Sequence, residues 1–507
     1  MVIEKKKMTG ITKTSGVRLH RELGLSSAVC LIVNVMIGSG IFISAGNVLQ
    51  NTGSVSMCLV IWVSCGLLSL LGALSYAELS GVVNKSGGNF SFYCAAFNDI
   101  HSFWGPLPSF VYSWTTIFYS RPAEVVIGTL TFAEYSVRPI SLWLSLLPDT
   151  EAMLIKTISV LAICAITLIN YISVKFFVKT QFAVTVSKIG VCIIIIGNGL
   201  YQLYLGNTKT LSTGFEGTSM TISQFPIVLY SGLWAFDGWA ASTMAVEEIK
   251  NPQRNILLSY ILAVPFVTII YVLMNISYFT VMSKSDMVSS PAVAVDFGTY
   301  ALGRFEFIIP LGVAISTFGS ALATQFGTTR LCYAASREGQ MLEVFSYISV
   351  KRLTPTPAVL LQGVLALVFC LACENIITLI EFASFLVWMF YGLSMVSLLV
   401  MRYTMKDVSR PFKIPIVVPI FVLAMSVLLC LTPIITSPKP QFLIALAFIF
   451  SAVLIYIPFV YYKRQYACVD SFTDMLKNCL GVEPPADEES YTMDTMKEDN
   501  RESPQLS

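Results

Sequence analysis

Stretches of about 20 apolar residues recur along the whole chain, and this repetition constrains the fold more than any single motif. A run of that length matches the thickness of a lipid hydrocarbon core when coiled as a helix. Twelve such stretches lie at about 25–48, 55–82, 103–136, 153–172, 180–205, 221–246, 257–283, 304–329, 356–374, 378–402, 414–436 and 440–462. Only 12% of the 507 residues are charged, where soluble domains carry about 25%. The chain therefore reads as an all-α polytopic membrane protein with 12 transmembrane helices. The third stretch is too long for one untilted crossing, so part of it is expected in the interface.

Orientation follows from the basic residues. If the N-terminus is cytosolic, the inner segments hold Lys5, Lys6, Lys7, Lys13, Arg18 and Arg21, with further lysines and arginines at every inner loop. The outer segments hold only Arg138, Lys156, Lys209, Lys284, Arg304 and Lys439. Both termini are thus expected in the cytosol. The chain divides into a cytosolic N-terminal segment (1–24), a transmembrane domain (25–462) and a cytosolic, largely disordered tail (463–507), whose end "PPADEESYTMDTMKEDN" is acidic and polar. The N-terminus lacks the short apolar core and cleavage site of a removable signal peptide. Twelve cysteines fall in or at the edges of spans or in the tail, as small buried hydrophobes would. The formal charge of +2 points to no nucleic-acid partner.

Two stretches carry residues that weaken a helix in lipid. "NVMIGSGIF" (34–42) places Gly38-Ser39-Gly40 inside the first span, although each glycine costs about 1 kcal/mol relative to alanine. An opened helix leaves N–H and C=O groups that lipid cannot satisfy, so the break should face a cavity. Its two half-helix ends, one positive and one negative, suit a zwitterion. A close-packing patch of small residues would explain the glycines equally well. The sixth span supplies a second instance: "GLWAFDGWA" (232–240) places Gly238 beside Asp237, with Trp234 and Phe236 adjacent. Spans 1 and 6 open two successive sets of five, and interrupted helices at matching positions indicate an inverted-repeat transporter. A carboxylate within a span, costing about 2.5–3.5 kcal/mol to insert, marks a water-filled path or a partner. Lys188, in "VTVSKIGVC", is either a fixed ammonium near the opened first span or a side chain that snorkels to the interface.

These segments resemble the light-chain subunits of heteromeric amino-acid transporters, in the amino acid–polyamine–organocation superfamily. The resemblance runs through "RELGL", "IGSGIF", "GALSYAELS", "KSGG", "YSGLWAFDGW", "VEEIKNPQRNI", "SREGQML", "RLTPTP" and "RPFKIP". Within that family the chain looks most like the b-zero-plus type, which exchanges cationic and neutral amino acids. The resemblance implies a LeuT-type fold, a 5+5 inverted repeat plus two helices, with helices 1 and 6 unwound. It implies a sodium-independent antiporter of L-amino acids in the plasma membrane, working by alternating access. The substrate-binding set it implies is Ile37, Gly38, Ser39, Gly40, Trp234, Ala235 and Asp237. In that set the amides at Ser39 and Gly40 hold the α-carboxylate, and carbonyls at Ile37, Trp234 and Asp237 hold the α-amine. Trp234 matches an aromatic gate, Asp237 the acid that meets a cationic side chain, and Lys188 the lysine near the sodium position of sodium-driven relatives.

Three departures from the family pattern bear on that transfer. The loop after span 3, "FAEYSVRPISLWLSLLPDTEAM", has no cysteine, so a single-span glycoprotein heavy chain could bind only without a disulfide there. Ala240 stands where many relatives have Asn, and Asn34 where a small residue is usual. Glu247, Glu248, Lys250 and Arg254, and after span 8 Arg330, Arg337 and Glu338, are expected either to pair when a cytosolic gate shuts or to form a solvated face. Two alternatives stay open: a carrier restricted to large neutral or aromatic amino acids, and a non-transporting receptor or channel on the same fold. No cofactor or metal is expected; the only histidines, His20 and His101, lie outside the spans, and an enzyme is not expected.

Overall fold

A computed structural model describes residues 21–38, 40–144, 147–220, 225–290, 293–372, 376–436, 440–464 and 467–484. The protein is a multi-pass, all-α bundle. In chain order the α-helices are α1 Leu25–Met36, α2 Gly40–Thr52, α3 Val55–Val82, α4 Asn89–Phe97, α5 Leu107–Thr115, α6 Arg121–Leu144, α7 Pro148–Ile172, α8 Val174–Tyr204 and α9 Phe225–Ala235. They continue as α10 Pro252–Val281, α11 Lys284–Ser289, α12 Val293–Leu302, α13 Ile308–Arg337, α14 Thr356–Ala372, α15 Ile376–Thr404, α16 Val417–Thr436, α17 Pro440–Tyr456 and α18 Ala467–Leu480. Helix, continuous or interrupted, thus lies on each of the twelve apolar stretches. Among the described residues, seven stretches are long and apolar enough to cross a membrane, and further apolar helices such as Thr356–Ala372 are shorter.

Local chemistry sets several helix starts. Ser173 caps α8 by accepting from the Phe176 amide, and Ser283 and Asp286 close a reciprocal capping box on α11. Pro252 opens α10 where its missing N–H is harmless, after Asn251 in the left-handed region. Between α5 and α6 a π-helical turn, Thr116–Ser120, takes up an extra residue and ends immediately before Arg121.

Burial ranks the helices. In α13, 72% of the apolar window is buried, against 22% in α7, so α13 is central and α7 peripheral. α13 packs on α6, α8 and α1, while α10 packs on α3, α1 and α8. The two interrupted spans lie against each other: α2 contacts α9, and α1 contacts the 3-10 helix Trp239–Glu248 that follows α9.

The tail differs in part from the expected disorder. Residues 467–480 form α18, which rests on α14 and on the turn Glu343–Ser346. Val482–Glu483 then pairs antiparallel with Ile348–Ser349. Although the segment is polar overall, Leu476 and Leu480 are one helical turn apart and pack on the core, and Val482 is buried. That small apolar stripe is enough to dock a short helix on an existing surface. Residues 485–507 lie outside the described residues, as do 1–20 of the N-terminal segment.

Candidate functional site

The first span opens where its glycines are. α1 ends at Met36, Ile37 takes a non-helical ψ of 73°, and Gly38 N–H donates to Met36 O at 2.8 Å. Ser39 lies outside the described residues, and α2 starts at Gly40. The carbonyls freed by the break are taken up by protein. Val35 O accepts from Ser320 Oγ (3.2 Å), Met36 O from Tyr271 OH (2.6 Å) and Ile37 O from Ser316 Oγ (2.7 Å). Gly40 has a second task. A Cβ there would lie 2.6 Å from the Ala235 Cα, so α2 and α9 touch backbone to backbone. The first amides of α2 have no acceptor within their own helix.

The sixth span opens in a matching way. α9 ends at Ala235, and Asp237 N–H closes a turn on Trp234 O at 3.3 Å. Gly238 sits at φ 107°, which side-chain-bearing residues rarely adopt, and a Cβ on it would run into Val35 of α1. The chain continues through Trp239–Glu248 in 3-10 geometry that is broken at Ala245, whose φ of −125° and ψ of 34° are non-helical.

Lys188 of α8 is fully buried and reaches the opened first span. Its Nζ donates to Ile37 O (2.7 Å), Asn34 O (3.0 Å) and Ser316 O (3.3 Å). The snorkelling alternative is therefore not what the structure adopts. Asn34 ties the same two helices: its side-chain amide donates to the Thr185 hydroxyl and to Gln181 O at 3.2 Å. The larger residue at this position is accommodated as a crosslink between α1 and α8.

Both breaks border one cavity of about 60 Å³ that is partly open to solvent. Gly38, Gly40, Trp234 and Asp237 line it from the interrupted spans, with Val35 and Met36. Glu124, Ile127 and Gly128 line it from α6, and Thr317, Ser320, Ala321 and Thr324 from α13. Asp237 is half-buried, and its Oδ1 accepts from the Tyr391 hydroxyl of α15 at 2.6 Å. The Tyr391 ring packs on Trp239 with centroids 4.5 Å apart. In α6, Arg121 Nη1 lies 2.6 Å from Glu124 Oε2.

Four of the expected residues thus line the cavity. Ile37 and Ala235 do not: the Ile37 carbonyl is engaged by Lys188 and Ser316, and the Ala235 carbonyl lies 3.0 Å from Tyr271 OH. Their places are in the wall behind it. Phe236 packs between Trp62 and Tyr271, away from the cavity. Sequence reasoning missed Arg121, Glu124 and Tyr391. Glu124 could have been flagged as Asp237 was, as a carboxylate in an apolar span. A tyrosine in an apolar helix gives no such signal.

The end of the bundle where the chain enters α1 is held together by backbone and side-chain contacts. Leu23 forms a parallel bridge with Ile249, through Leu23 N to Glu248 O (2.9 Å) and Lys250 N to Leu23 O (2.8 Å). Arg330 holds Glu248 by two hydrogen bonds (2.6 and 3.1 Å), and both side chains are 1% exposed. The Arg330 guanidinium also sits 3.6 Å over the Phe326 ring. Glu247 pairs with Arg337 at 3.2 Å and accepts from the Ser86 amide. Of the charges expected here, Glu248 pairs with Arg330 in a buried contact and Glu247 with Arg337, whereas Glu338 lies 3.4 Å from Lys85, and Lys250 and Arg254 are exposed.

Comparison with known proteins agrees with this geometry. The amino acid permease family model matches residues 23–465. The mouse b(0,+)-type amino acid transporter 1 is 41% identical over 484 residues, covering 95% of this chain and 97% of the relative. The human cystine/glutamate transporter is 38% identical over 403 residues, 80% of this chain and 78% of the relative. The human large neutral amino acids transporter small subunit 2 is 32% identical over 485 residues, 94% and 88% of the two chains. A bundle with two broken spans around one cavity, matched over nearly its whole membrane part, thus belongs to the amino acid permease family.

Proposed function

We propose that this protein exchanges L-amino acids across the plasma membrane by alternating access, without sodium, with both termini in the cytosol. The observation that carries the reading is the meeting of two opened spans at one cavity, with Lys188 fixed on the carbonyls of the first. Lys188 Nζ, donating to Asn34 O and Ile37 O, takes carbonyls that a bound sodium ion would otherwise use. The substrate carboxylate would take the amides of Ser39 and Gly40, and its ammonium the carbonyls of Trp234 and Asp237. Of the three carbonyls expected for the amine, Ile37 O already accepts two donors and Trp234 O one, the Asp237 amide, so the amine depends on Asp237 O and the remaining lone pair of Trp234 O. Trp234 would cover the bound molecule.

Neutral and cationic amino acids both fit this reading. Asp237 lines the cavity and receives one hydroxyl donor, which leaves carboxylate capacity for a substrate ammonium or guanidinium. A second reading, restriction to large neutral or aromatic side chains, draws on the same contact, because Tyr391 already satisfies one Asp237 oxygen. One relative is named a small subunit. For this chain a heavy-chain partner would have to bind without a disulfide in the loop after the third span.

The test is efflux of preloaded radiolabelled leucine from proteoliposomes holding this chain alone, in sodium-free medium. External leucine or lysine should accelerate efflux. A channel would show no dependence on the external amino acid, and a non-transporting receptor no efflux at all.

A further inference from the structure

Glu124 has a place in the cavity that the backbone-gripping scheme does not use. It lies in the first turn of α6, which follows the π-helical turn Thr116–Ser120, and it lines the cavity beside Ile127 and Gly128. One oxygen, Oε2, is held by Arg121 at 2.6 Å. The other, Oε1, is buried and has no hydrogen-bond partner. A buried carboxylate oxygen without a donor is strongly disfavoured, so a bound molecule or water must supply one.

We propose that Glu124, oriented by Arg121, is a specificity-determining residue that reads the far end of the substrate side chain and selects neutral side chains ending in an O–H or N–H donor. The inference rests on the amino-acid exchange proposed above and names a preference within it. Three observations lead to it. Glu124 and Arg121 sit on α6, a different helix from the two interrupted spans whose backbone groups border the cavity, so the pair is available to a side chain. The open valence is an acceptor, which selects donors. The carboxylate is already neutralised by Arg121, so a second cation gains little charge attraction there, whereas a hydroxyl or amide completes the hydrogen bonding without adding charge. A cationic side chain would go to Asp237 instead, whose hydrogen bond comes from the neutral Tyr391.

The experiment compares exchange of matched amino acids that differ mainly in a side-chain donor: tyrosine against phenylalanine and glutamine against methionine, in proteoliposomes. Wild type should prefer the donor-bearing member of each pair by about tenfold in kcat/KM, as one hydrogen bond to a charged acceptor can supply. The preference should shrink several-fold in Glu124→Gln. It should fall to near one in the double variant Arg121→Met/Glu124→Leu, which removes both charges together and avoids stranding either. Equal rates for both members in wild type would overturn the inference while leaving exchange intact, and would mean that only water meets Oε1. A preference that persists in the double variant would also overturn it. Because the first comparison uses wild type, it stands even if a variant fails to fold. Wild-type vesicles that exchange no amino acid would overturn both readings.

Discussion

Lys188 Nζ lies 2.7 Å from the carbonyl oxygen of Ile37 and 3.0 Å from that of Asn34. One ammonium thereby satisfies two peptide groups that the broken first span leaves behind, and it joins α8 to the wall of the cavity. Removing it strands the buried Asn34 carbonyl at about 1–3 kcal/mol, while Ile37 O keeps the Ser316 hydroxyl. Lys188→Met should lower exchange at least tenfold and lower the melting temperature of the purified protein. Exchange at wild-type rates with unchanged melting would show that the contact has no part in transport.

The glycines of the two breaks should differ in tolerance. A Cβ at Gly40 would sit 2.6 Å from the Ala235 backbone, whereas one at Gly38 would meet only the Ser320 hydroxyl at 3.1 Å, which can rotate away. Gly40→Ala should therefore reduce leucine exchange at least tenfold and Gly38→Ala only a few-fold, at matched protein levels. Equal losses would contradict the close approach of α2 to α9.

Gly238 combines a left-handed φ of 107° with contact against Val35. Gly238→Ala should strain the turn by about 1–3 kcal/mol and push α1 from α9. Thermal unfolding of the purified protein should register the strain, and a melting curve identical to wild type would count against it.

Asp237 separates the two substrate readings. Asp237→Gly should abolish lysine uptake and spare leucine uptake. Equal loss of both would make the acid structural, as the Tyr391 hydrogen bond at 2.6 Å allows.

The Glu248–Arg330 pair is almost fully buried. Removing one partner leaves an uncompensated charge, worth about 3–5 kcal/mol. Glu248→Gln should destabilise the protein by a large share of its net stability. Arg337→Gln, breaking a more exposed pair, should do so much less. Chemical-denaturant unfolding of both variants measures the difference.

Different parts of this architecture were legible for different reasons. The apolar stretches located the helices because length and composition alone decide what lipid tolerates. Gly38, Gly40, Gly238, Asp237 and Lys188 stood out because each violates the rule for its surroundings. The short helices α4, α11 and α12 were not foreseen, since each is too short to show a clear period. α18 was hidden by a polar composition that masks the Leu476 and Leu480 stripe. Arg121 and Glu124 went unread, although their spacing of three residues places them on one face of a helix and the structure pairs them there. Tyr391 and Ser316 could be found only once α15 and α13 were placed against the breaks.

The central claim is that the two opened spans hold both ends of a free amino acid. Efflux of radiolabelled leucine from sodium-free proteoliposomes, measured with leucine, leucine methyl ester or N-acetyl-leucine outside, tests it most directly. Leucine should accelerate efflux, while the ester, lacking the carboxylate, and the acetyl derivative, lacking the ammonium, should not. Equal acceleration by all three would contradict it.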